Sequence, residues 1–281
     1  MAKTAEVANP YDRATAVVRT HDRDRYLADL FAPAGLRKHL LALHAFDVET
    51  ARIRRRVSDP QLGEIRIQWW RDAILKGEGG GHPVATALVA TMRQFSLPTA
   101  AFEHLLDARV FDLYDDPMPT LRDLEGYAGD TASAIMQLGA LILAGGTDPR
   151  SSNAAGHAGV AYTITRILRT LAANAGHGQT FLPEAMVNSR RVDMASIAAR
   201  QATPELMSLH TDLRTIARQH LRQAELELAH VDRAILPAFL PIALVRPYLV
   251  RMDVPDYDPF TAIELPPWRR QWILWRAART M

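Results

Sequence analysis

The sequence has no cysteine among its 281 residues. Disulfides, thiolate metal sites, iron–sulfur clusters and cysteine nucleophiles are thereby excluded, and the chain suits a reducing compartment without requiring one. A long apolar run is also missing. A membrane-spanning helix needs roughly 18 uninterrupted apolar residues, and the longest candidate, Ala134 to Ala144, is broken by Gln137 and Gly139. Charge of one sign is scarce: 33 basic residues against 31 acidic ones leave a formal charge of +2, too little to argue for nucleic acid as a partner. The opening residues, MAKTAEVANPYDRA, hold no apolar core of a secretory signal, and Glu6, Asp12, Asp22 and Asp24 fit poorly with an acid-poor transit peptide. The expected location is cytoplasmic, with peripheral contact at the inner face of a membrane as the closest approach to lipid. No alternating β pattern of useful length, no fixed-period repeat and no low-complexity linker interrupts the chain.

What the sequence has in quantity is helical spacing. Hydrophobic residues make up 48% of the chain, enough for a sizeable core. From Leu36 to Val57 apolar residues recur at a helical period after Pro33, and a second such stretch carries Ile65, Ile67, Trp69, Trp70 and Ile74 after Pro60. GEGGG at 77–81 marks a loop, and His82-Pro83 opens the next helix. Leu121–Leu143 and Ala154–Ala173 read as two long, mostly apolar helices for the middle of a bundle. Thr203-Pro204 starts another, and Pro266-Pro267 precedes a Trp-rich terminal helix. The predicted architecture is all-α: a leading segment over 1–20, then one helical domain over 21–281.

Two blocks carry a resemblance. RYLADLFAPAGLRKHLLALHAFDVETARIRRRVSDPQLGEIRIQWWR, from Arg25 to Arg71, and HAGVAYTITRILRTLAANAGHGQTFLP, from His157 to Pro183, resemble the two signatures of the squalene/phytoene synthase family. The resemblance implies an isoprenoid-synthase helical bundle with residues 36–57 and 154–174 facing each other across a central cavity. In such synthases carboxylates at i and i+4 on two helices hold Mg²⁺ against an allylic diphosphate; the spacing puts both acids on one helix face, and Mg²⁺ requires oxygen ligands. Here Ala51, Arg52 and Arg55 stand at the first set of positions and Thr170 and Asn174 at the second, with Ala173, Gln179 and Phe181 replacing the usual Glu, Arg and Tyr. The block ALHAFDVETARIRRRVSDPQLGEIRIQWW is more similar to the branch of the family that includes the mitochondrial complex I assembly factor and its alphaproteobacterial relatives. That branch implies a retained fold, no catalytic residue, no metal or other cofactor, and partners among complex I subunits or assembly intermediates. The alternative implied by the wider family is a prenyltransferase, joining two allylic isoprenoid diphosphates in terpenoid biosynthesis with altered Mg²⁺ ligands.

The candidate residues are few. Arg52, Arg55 and Arg56 share one face of a continuous helix and, with Arg169, form a candidate metal-free pocket for an isoprenoid diphosphate or anionic lipid, since guanidinium forks bind phosphate in pairs of hydrogen bonds. The competing reading is a solvated basic face paired with Glu49 and Asp59. Asp112, Asp115 and Asp116 have chelating spacing but read better as a helix end before Pro117. Asp47 and Glu49, two apart, point in different directions. His157 and His177 suggest no partner, and Trp69, Trp70, Trp268, Trp272 and Trp275 read as core anchors, with a membrane or partner interface as the lesser alternative.

Overall fold

The structure, a computed structural model, describes residues 9–176 and 179–280. Among them regular structure is helical throughout, apart from one isolated bridge between Met118 and Pro183. The chain gathers into two compact units, one running to Leu113 and including Leu141–Asp148, the other comprising Tyr114–Ala140 and the chain from Pro149 onward.

The first unit contains α1 (Pro10–His21), α2 (Arg23–Asp29), α3 (Ala34–Ala51), α4 (Ile53–Arg56), α5 (Pro60–Lys76), α6 (Pro83–Phe95) and α7 (Thr99–Phe111). Helix α1 covers the second half of the stretch set apart at 1–20 and ends one residue beyond it. It buries Ala14, Val17 and Val18 and packs on α3 and α6. Phe46 is fully buried and meets Trp70 and Phe102 edge to face, with centroids 5.2 and 5.5 Å away. Helix α5 opens where its sequence says it should: Pro60 occupies the first turn, Asp59 accepts the N–H of Gln61 at 2.8 Å, and left-handed Gly77 closes it.

The single helix expected over 36–57 is in fact two. Helix α3 ends at Ala51, Arg52 adopts φ −100°, ψ −2°, and its N–H turns back to the carbonyls of Glu49 and Thr50. Arg52, Arg55 and Arg56 at i, i+3 and i+4 would repel one another on one helix face, and β-branched Thr50 adds little helical preference. The break redirects the arginines that follow it.

The second unit contains α8 (Leu121–Ala128), α9 (Ala134–Leu143, whose last turn belongs to the first unit), α10 (Ser152–Ala175), α11 (Glu184–Ser189), α12 (Met194–Ala198), α13 (Pro204–Leu228), α14 (Val245–Arg251) and α15 (Pro267–Thr280). Helices α10 and α13 form its centre, packed along each other. The uninterrupted helix expected over Leu121–Leu143 carries a π turn at Gly129–Ser133. Gly159 of α10 lies directly on that turn, so close that a β-carbon there would be 2.0 Å from Ser133 Oγ.

Candidate functional site

Two acids of the AFDVE segment diverge, as their spacing requires. Asp47 turns inward, 2.5 Å from Arg25 and 2.7 Å from Arg109, and Arg109 also donates to Asp112 at 2.9 Å. Burial alone would raise the Asp47 carboxyl, but the two guanidinium groups and their hydrogen bonds dominate and hold it well below the ordinary carboxylate range. Asp112 is thus a scaffold residue capping α7, while Asp115 and Asp116 are exposed. Beside Asp47, the fully buried Asp29 receives His44 at 2.8 Å.

Glu49 faces the other way, into a cavity of about 240 Å³ within the first unit. Ile53 and Arg56 from α4, Arg66, Trp69 and Trp70 from α5, and His82 at the start of α6 complete its lining. His82 Nδ1 lies 3.4 Å from the Ala85 N–H that it caps, and Nε2 lies 3.4 Å from a Glu49 oxygen. With Nδ1 accepting, the ring hydrogen sits on Nε2 and points at the carboxylate. The three aromatic rings meet edge to face at 5.2 to 5.5 Å. Burial raises the Glu49 carboxyl; His82, Arg56 and Arg13 act against it more weakly.

Around this cavity the positive charges crowd. The Arg52 guanidinium is disfavoured first by burial, then by Arg56 and Arg55. His21 of α1 is lowered by burial and then by Arg52, Arg56 and Arg13. The sequence does not single out Arg13 and His21, because the contact between α1 and α3 that brings them here is not a local signal. His82 is legible there only as the residue that opens α6, and Arg66 is not singled out. The α5 side also exposes Leu62, Ile65 and Trp69, against the expectation that Trp69 is a core anchor; Trp70 is buried as expected.

In the second unit, Arg169 stacks its guanidinium on Tyr248, 3.4 Å from the ring centroid, with a Glu264 oxygen at 3.7 Å. Its Nε is buried without an acceptor. Thr170 donates to the Arg166 carbonyl at 2.9 Å, and the Asn174 amide donates to Thr170 Oγ1 at 3.1 Å. The pair standing at the second set of positions is therefore satisfied within its own helix. His157, for which the sequence suggests no partner, lies 3.0 Å from His220 Nδ1, and His220 Nε2 lies 3.3 Å from Glu125. His177 falls outside the described residues. Among the described residues no group of three or more His, Asp or Glu side chains could hold a metal ion.

An all-helical chain with this pair of signature segments defines a class, and the comparisons agree: the squalene/phytoene synthase family model matches residues 18–276. The chain belongs to that family. Among individual relatives, it is 29% identical to the NADH dehydrogenase (ubiquinone) complex I assembly factor 6 of Rattus norvegicus, over 87% of this chain and 74% of that protein. It is 28% identical to the human protein of the same name over the same shares. Phytoene synthase of Thermus thermophilus is 25% identical over 93% of this chain and 90% of its own. Of solved structures, a dehydrosqualene synthase aligns with TM-score 0.80 at 18% identity, covering 96% of this chain and 95% of that one. Squalene synthase from Alicyclobacillus acidocaldarius aligns with TM-score 0.75 at 18% identity, covering 86% and 92%. At such identities the structures establish the isoprenoid-synthase-like fold and nothing about activity.

Proposed function

We propose that this protein is a non-catalytic helper in the assembly of respiratory complex I, working in the cytoplasm with peripheral contact at the inner face of the membrane, and that it binds an isoprenoid diphosphate or anionic lipid head group without metal. The observation that carries the ligand reading is the arginine turn: Arg52 and Arg55 stand where the family resemblance calls for Mg²⁺-binding carboxylates, Arg56 follows on the same turn, and Arg52, disfavoured first by burial, is further disfavoured by the like charges of Arg56 and Arg55. An anion bound there would relieve that repulsion, with guanidinium supplying the charge a metal would otherwise bring. Ala51, Arg55, Thr170 and Asn174 offer no carboxylate to a hard cation. Arg169 belongs to the proposal as a guanidinium of the second unit, its side chain 21% exposed and 3.7 Å from a Glu264 oxygen. The assembly role rests on the relatives named complex I assembly factor 6 and on the AFDVE…RIQWW segment.

The test is a titration with farnesyl diphosphate in EDTA at low salt. Binding is expected, to weaken as salt rises, and to fall on the order of tenfold in Arg55→Ala, the loss of one charge-assisted contact. Undiminished binding by Arg55→Ala, or none by the unaltered chain, would remove the ligand half of the proposal. A second reading, prenyl transfer with altered ligands, is favoured by the similarity to phytoene synthase along 93% of the chain. Under that reading the same mixture with Mg²⁺ would release diphosphate steadily, and chelator would stop it.

A further inference from the structure

The terminal helix α15 is expected from its spacing to bury its tryptophans, and it does not. Trp268, Trp272 and Trp275 are 69%, 51% and 44% exposed. At i, i+4 and i+7 they fall within roughly 60° of the helix circumference, at about 100° per residue. The opposite side carries Leu274, fully buried, and half-buried Arg270, and this side packs on the 3₁₀ turn Leu240–Leu244. The helix therefore turns its largest apolar side chains away from the unit to which it is attached.

Its charge is as one-sided as its apolarity. PWRRQWILWRAART holds Arg269, Arg270, Arg276 and Arg279 and no acid. The nearest acid before it, Glu264, is turned toward Arg270 and Arg169, at 3.9 and 3.7 Å. Arg276 lies 5.4 Å from the Trp272 ring centroid and Arg279 lies 4.0 Å from that of Trp275, so guanidinium groups rim the tryptophan face. No helix among the described residues is long and apolar enough to cross a membrane. A short helix with indole rings on one face and arginines around them suits the plane of the head groups, where the rings reach the acyl boundary and the arginines meet lipid phosphates. An anionic surface answers both features together.

We infer that α15 is the membrane-docking surface of this protein and that its ligand is a bilayer carrying anionic lipid. This assignment rests on the peripheral placement proposed above and gives it to a specific helix. The test is flotation of the full chain with vesicles of a two-to-one mixture of phosphatidylcholine and phosphatidylglycerol, against vesicles of phosphatidylcholine alone. Binding to the mixed vesicles is expected, with little to the neutral ones. The W268A/W272A/W275A variant should lose on the order of tenfold in partition for each ring removed. Arg269→Glu with Arg276→Glu and Arg279→Glu should abolish the preference for anionic lipid. All these side chains are exposed, and far-UV circular dichroism checks that the variants remain folded. Equal flotation of the tryptophan variant and the unaltered chain would overturn the assignment to α15 while leaving the membrane placement standing. No flotation of the unaltered chain on either vesicle would overturn both and leave the assembly role untouched. A dimer that the tryptophan variant converts to monomer, without vesicle binding, would give this face to a second copy of the chain and end the proposal.

Discussion

The buried polar residues divide into those with partners and those without. Asp47 sits between two arginines, Arg25 and Arg109, and its removal would take a close carboxylate partner from each of these buried cations. His210 is the opposite case: it is fully buried on α13, and neither ring nitrogen has a hydrogen-bond partner. Burial, helped by Arg214, lowers it to about 3. A histidine held neutral in the folded state and free to protonate when unfolded stabilises the fold fully above its unfolded value and progressively less as pH falls from about 6.5 toward 3. Burial lowers His39 too, to about 4, so it acts in the same direction. His210→Leu should therefore be more stable than the unaltered chain, and the advantage should grow by about 2 kcal/mol between pH 7 and pH 5. Urea unfolding at the two pH values measures this; an advantage that stays constant or shrinks would show that His210 is not held neutral.

At the scale of elements, much is legible in the sequence and the misses share a cause. Proline and cap residues announce the starts of α5, α6 and α13 at Pro60, Pro83 and Pro204, each confirmed by a side-chain cap from Asp59, His82 or Thr203. The break at Arg52 and the π turn at Gly129–Ser133 are not legible, since apolar periodicity runs through both; repulsion among arginines and packing decide them. Exposure of the α15 tryptophans is hidden for a related reason, because helical spacing states which residues share a face and not whether that face is covered. Arg13 and His21 join the arginine turn only through tertiary packing. The π turn offers a paired test on α10. Gly159→Ala would drive a β-carbon to 2.5 Å from the Ser133 backbone nitrogen, while at Gly156 the same change meets nothing within 4 Å. Overpacking should cost Gly159→Ala about 1–3 kcal/mol, whereas Gly156→Ala should gain about 0.5–1 kcal/mol from helix propensity. Thermal denaturation should move in opposite directions for the two; a shared sign would contradict the close approach of α10 to the π turn.

For the whole molecule, the family fold stands apart from the chemistry proposed for it. The fold is legible because two distant blocks keep the family's spacing, and solved synthases align along most of the chain. The task is less so: Arg55 for a carboxylate says what the turn would attract, not what the protein serves. In the proposed function, a synthase scaffold has become a metal-free binding and docking protein for complex I assembly. That role is read most directly from the amount of assembled NADH:ubiquinone oxidoreductase, resolved on native gels of host membranes after deletion of this gene. The intact complex should fall severalfold, subassemblies should accumulate, and the unaltered gene should restore assembly; a full complement of intact complex in the deletion strain would refute the assembly role.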